Sequence, residues 1–78
     1  MNDKMKTLDL HGFKHKEVEE EVEKFVNDNW GIEESTIITG NSKAMRDVVI
    51  GVLDYYKVEY TVGNYMGTDT SFIKVDLS

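Results

Sequence analysis

The sequence predicts a two-layer α/β domain of order β-α-β-α-β-β, a sandwich in which a four-stranded mixed sheet carries both helices on one face. Three observations carry this reading. Apolar positions recur at helical spacing in two separate stretches, Val18 to Val26 and Met45 to Tyr56. Short alternating or β-branched runs stand before, between and after them. Each helical stretch has a single apolar stripe, so each has one side to bury, and one shared sheet face accommodates both.

The elements follow in order. Lys6-Thr7-Leu8-Asp9-Leu10 alternates, with Leu8 and Leu10 on one side, as a half-buried strand does, and His11-Gly12 ends it. From about Lys14 to Asn29 the apolar positions Val18, Val22, Phe25 and Val26 form one helical stripe, and Trp30 falls four residues beyond Val26. Carboxylates crowd the first half of this helix, where its dipole favours them, and Gly31 supplies the stop. Thr36-Ile37-Ile38-Thr39 is a β-branched run closed by Gly40, and predicts a second strand buried on both sides. Asn41 and Ser42 are candidate N-caps for a second helix, whose stripe is Met45, Val48, Val49, Val52, Leu53 and Tyr56. Val58, Tyr60 and Val62 then alternate, Gly63 to Thr70 is turn-rich, and Ile73, Val75 and Leu77 alternate again. Strands separated by helices are expected to pair in parallel, and the last two to form an antiparallel hairpin. Tyr55, Tyr56 and Tyr60 are assigned to packing.

Seventy-eight residues fit a single domain spanning 1–78. A chain this short buries only about 60% of the surface its unfolded form exposes, so all the apolar stripes must share one core. The absence of cysteine excludes disulfides, thiolate metal sites and a cysteine nucleophile. The first residues lack the apolar segment of a secretory signal, and no window approaches the ~20 apolar residues that span a bilayer. A cytoplasmic protein with no membrane partner is expected. The formal charge of −6 opposes nucleic-acid binding when taken alone, because phosphate affinity comes largely from Lys and Arg. Much of the acid is local, however. Glu17, Glu19, Glu20, Glu21 and Glu23 fall in one helical stretch and read as a solvated face.

In an α/β sheet the C-terminal ends of parallel strands and the N-termini of the following helices meet along one rim. Two motifs fall there, Asp9-Leu10-His11-Gly12 and Thr39-Gly40-Asn41-Ser42, with Lys14, Lys16, Lys43 and Arg46 in or just before the first helical turns. Together they predict a locally positive, anion-accepting rim on an acidic protein. Asp9 and His11, at i and i+2 of a strand, point to the same side. A carboxylate beside an imidazole can orient it for proton transfer, or the two can help hold a divalent ion. Equally, an Asp at a strand end caps a turn, and a lone His sits on the surface with an ordinary hydrogen bond. His15 reads as a capping or surface residue. Thr39-Gly40-Asn41-Ser42 suits either a phosphate cradle or an ordinary strand-to-helix turn. Arg46 suits a phosphate contact or a surface ion pair. In the closing hairpin, Tyr65 can stack on an unpaired base or cover the hairpin's edge.

These residues in this order resemble the Smr (small MutS-related) domain family across nearly the whole chain. The resemblance rests on Leu8-Asp9-Leu10-His11-Gly12 before a glutamate-rich helix, then Ile37-Ile38-Thr39-Gly40, Met45-Arg46-Asp47-Val48-Val49 and Phe72-Ile73-Lys74-Val75-Asp76-Leu77. It implies a sandwich similar to the C-terminal domain of bacterial translation initiation factor three, and an association with nicking or cleaving DNA or RNA. It also implies that Asp9 and His11 match the acidic and imidazole residues of the family's first motif. Thr39 and Gly40 match the start of the second, and Arg46 a basic residue early in the second helix. The second motif departs from the family pattern. Ser42 stands where members typically place a further glycine, and the late glycine-rich segment is reduced to Gly63 and Gly67.

Two functions are therefore expected as alternatives. In the first, the domain is a nicking endonuclease acting on DNA or RNA phosphodiester bonds. Asp9 and His11 are then catalytic, Mg or Mn is a possible cofactor, and Gly12, Lys14, Thr39, Gly40, Asn41, Ser42, Lys43 and Arg46 hold the phosphate backbone. In the second, the same rim is a non-catalytic interaction module for nucleic acid or a protein partner. The negative charge and the altered second motif favour that alternative.

Overall fold

A computed structural model of the chain describes residues 7–63 and 71–78. The elements are β1 (Thr7–Asp9), α1 (His15–Asp28), β2 (Ser35–Ile38), α2 (Lys43–Tyr55), β3 (Glu59–Val62) and β4 (Phe72–Asp76). This is the expected β-α-β-α-β-β order. Tyr65 and the rest of the turn-rich segment 64–70 lie outside the described residues.

The four strands form one mixed sheet of order β1-β2-β4-β3. β1 and β2 pair in parallel, with Leu8 opposite Ile37. β4 runs antiparallel to β2 on one side and to β3 on the other. The final hairpin is thus as expected, but β2 and β3 are not neighbours. β4 inserts between them, so the α2 crossover spans one strand position.

Both helices cover the same sheet face. Val18, Val22, Phe25 and Val26 of α1 and Met45, Val49, Val52 and Leu53 of α2 share one core with Leu8, Leu10, Ile37, Ile73, Val75 and Leu77. Among the described residues no helix lies over the opposite sheet face, which corrects the reading of β2 as buried on both sides. Ser35 and Ile37 are buried, whereas Thr36 and Ile38 are half-exposed on the open face. An apolar, β-branched strand is compatible with either environment, so its composition alone did not separate them.

Local chemistry sets the helix ends. At α1 the Lys14 N–H donates to Glu17 Oε1 at 3.0 Å, one half of a capping box, and this acid stands in the first turn where the dipole favours it. At α2, Ser42 rather than Asn41 is the N-cap: its Oγ accepts the Met45 N–H at 3.1 Å. Trp30 falls past the end of α1 and is 60% exposed, so it extends no core stripe. Tyr55 and Tyr56, assigned to packing, are exposed at the end of α2 and meet each other edge to face at 5.1 Å. Tyr60 does pack against the core.

Gly51 sits in the interior of α2, where a Cβ would meet nothing within 4 Å. Gly51→Ala is expected to stabilise the domain by about 0.5–1 kcal/mol through restriction of the unfolded chain and a better helix former. The check is a rise in the thermal midpoint, with no change in the circular dichroism spectrum.

Candidate functional site

The parallel pairing of β1 with β2 brings the two motifs to one rim. Asp9 stands opposite Ile38, and the Leu10 N–H continues the ladder by donating to Ile38 O at 3.0 Å. The turn after β1 and the turn after β2 therefore leave the sheet side by side, each leading into a helix N-terminus.

The first motif is a built turn. β1 ends at Asp9, so His11 lies outside the strand, contrary to the i, i+2 strand reading. Phe13 N–H donates to Leu10 O at 3.0 Å, closing a four-residue turn with His11 and Gly12 at its centre. Gly12 has φ +87, the conformation that a type II turn requires at its third position and that glycine supplies without steric cost. Asp9 Oδ1 accepts the His11 backbone N–H at 2.9 Å, an Asx-type cap. The carboxylate thus places His11 through its backbone. Asp9 and His11 are both exposed on this rim.

The second motif is tied inward. Thr39 is buried, and the N–H groups of Thr39 and Gly40 both donate to Ser71 O at 2.9 Å. The Thr39 hydroxyl also lies 3.2 Å from Ser71 O and 3.0 Å from Gly40 O. These two amides are held by the start of β4 rather than turned to solvent. Gly40 has φ +69, which releases the chain from β2 toward the α2 cap. Ser42 caps α2, Asn41 is exposed beside it, and Lys43 pairs with Asp47 at 2.9 Å along the exposed helix surface. Arg46 is half-buried one turn into α2. Lys14, His15 and Lys16 are exposed at the start of α1.

Sequence reasoning did not single out Ser71 or Phe72. Ser71 locks the second turn to β4, and no residue pattern announces a backbone acceptor. Phe72 was legible in principle. Alternation with Ile73, Val75 and Leu77 places it on the face opposite the core, where its register partner is Ile38.

The opposite end of the open face is acidic. A hollow of about 730 Å³ there is bounded by Glu33, Glu34, Glu59 and Asp76 around Lys74, which lies 3.5 Å from Glu34. The Ser78 hydroxyl, and secondarily its backbone N–H, hold the Asp76 carboxyl below its ordinary range by hydrogen bonding. A smaller recess of about 400 Å³ runs along the outer side of β1 between Asp9, Phe13 and Lys24.

Among the described residues no group of three or more His, Asp or Glu side chains is arranged so that it could hold a metal ion. Of Asp9 and His11 at the rim, only the Asp9 carboxylate is an oxygen donor of the kind that Mg or Mn takes together with substrate phosphates and water. No helix among the described residues is long and apolar enough to cross a membrane.

No family model, curated protein or solved structure matches the chain.

Proposed function

We propose that the chain is an Smr-like nucleic-acid-binding domain that nicks phosphodiester bonds at the rim formed by the turns after β1 and β2. The observation that carries this reading is the juxtaposition of the Asp9-Leu10-His11-Gly12 turn, exposed at Asp9, His11 and Gly12, with the Thr39-Gly40-Asn41-Ser42 turn across the parallel pair. His11 takes the proton of the attacking water as the phosphorus–oxygen ester bond breaks, and solvent reprotonates the leaving oxygen. Asp9 positions His11 through the backbone bond at 2.9 Å, and its second oxygen would be a donor to Mg or Mn, which would supply charge stabilisation at the phosphate. Lys14, Asn41, Ser42, Lys43 and Arg46 stand along the path of the phosphate backbone. Gly12 and Gly40 set the two turns, and Thr39 anchors the second to Ser71.

A second reading, a non-catalytic interaction module, has a specific observation in its favour. One Asp9 oxygen and the amides of Thr39 and Gly40 already have partners within the fold.

The two readings separate in one assay, in which purified protein is incubated with supercoiled DNA and with hairpin RNA, with magnesium, manganese or chelator, and retention on nucleic acid is followed against salt. The nuclease reading expects nicked or cut product together with retention that falls steeply as salt rises. Retention without product supports the module. The absence of both product and salt-dependent retention rejects a nucleic-acid role.

A further inference from the structure

We propose that Ile38 and Phe72 form a platform for one unpaired base, next to Asp9, which directs the domain to single-stranded or locally unstacked nucleic acid. The inference rests on the nucleic-acid reading above and names its substrate class.

The strand register places Asp9 opposite Ile38 and Ile38 opposite Phe72, so the three form one row across β1, β2 and β4. Their chain neighbours Leu8, Ile37 and Ile73 are buried beneath the helices. By alternation, the row lies on the open face. Ile38 and Phe72 are half-buried, yet neither belongs to the partly buried apolar residues that pack against the core, namely Phe13, Val48, Ile50, Tyr60 and Val62. They form an apolar pair outside the core, at the rim end of the sheet.

Position and charge select the occupant. Two strand spacings separate Asp9 from Phe72, about 10 Å. This is comparable with the distance from a nucleotide's phosphate to the far edge of its base, so a phosphate at the rim leaves its base over Ile38 and Phe72. Further along the same face the four carboxylates of Glu33, Glu34, Glu59 and Asp76 outnumber the single ammonium of Lys74. A phosphate backbone is repelled there and is kept to the rim, where Lys14 and Lys16 are exposed at the start of α1; only the uncharged base extends onto the sheet. A base offers a π-face for Phe72 only when it is unstacked, which excludes the interior of a duplex.

The test uses single-stranded DNA and RNA oligonucleotides carrying 2-aminopurine, whose fluorescence falls on stacking, with a duplex of the same sequence as competitor. Wild type and the conservative variant Phe72→Tyr are expected to bind the single strand and quench the probe. Phe72→Leu keeps the apolar volume but loses the aromatic face, and is expected to bind at least about tenfold more weakly. A matching thermal midpoint establishes that it is folded. If wild type nicks nucleic acid but Phe72→Leu binds as tightly as wild type, the platform is overturned and the nuclease reading stands. If neither protein nicks but binding and quenching depend on Phe72, the platform stands and the nuclease reading falls. Preference for duplex, binding without quenching, no binding, or a Phe72-dependent self-association in place of base binding each overturns the platform.

Discussion

Leu53→Ala is expected to lower the thermal midpoint by roughly 10–25 °C and to leave a substantial unfolded fraction at growth temperatures. Leu53 is fully buried in α2, within the core that α1, α2 and the sheet share. Removing a buried leucine side chain costs about 2–5 kcal/mol, part from lost transfer free energy and part from the cavity left behind. At roughly 0.05–0.15 kcal/mol per residue, a chain of this length holds about 4–12 kcal/mol in total. One truncation therefore removes a large share of the stability. The two helices lie over a single sheet face, and the described residues form no second core that compensates. Urea and thermal unfolding followed by circular dichroism measure the loss. A change below about 1 kcal/mol would show that α2 does not pack into the sheet as described.

The layout of that core was legible because helical period and strand alternation are direct consequences of one-sided burial. Val18, Val22, Phe25 and Val26, and likewise Met45, Val49, Val52 and Leu53, are the buried positions that the spacing selects. The errors fall where period stops being informative. Trp30 continues the α1 stripe numerically, but the helix ends at Asp28 and the indole is exposed. Tyr56 continues the α2 stripe as its C-cap. The burial of Thr36 and Ile38 depends on how many layers the fold has, which a four-residue β-branched strand does not record. The insertion of β4 between β2 and β3 is set by pairing across the whole sheet, and no local pattern encodes it. At the rim, Asp9, His11 and Gly12 identified a turn, and residue types alone left two roles for Asp9. The geometry adds the hydrogen bond from the His11 backbone.

His11→Ala is expected to lower cleavage by about 10²–10⁴-fold while leaving single-strand binding and the thermal midpoint near wild type. His11 is exposed, and only its backbone N–H takes part in the cap, so alanine preserves the turn. Asp9 requires a pair of variants, because it has a structural and a proposed chemical role. Asp9→Asn keeps an oxygen that accepts the His11 N–H, and so keeps the turn, but removes the negative charge. Asp9→Ala removes both, and the lost hydrogen bond costs about 1 kcal/mol. If Asp9 acts on the reaction, both variants lose cleavage and only Asp9→Ala loses stability. If Asp9 is a turn cap alone, Asp9→Asn cleaves like wild type and Asp9→Ala is impaired only in proportion to its instability. Single-turnover cleavage rates measured beside unfolding curves for the three variants distinguish these cases. Full activity in His11→Ala would remove the imidazole from the mechanism and leave the rim as a binding surface.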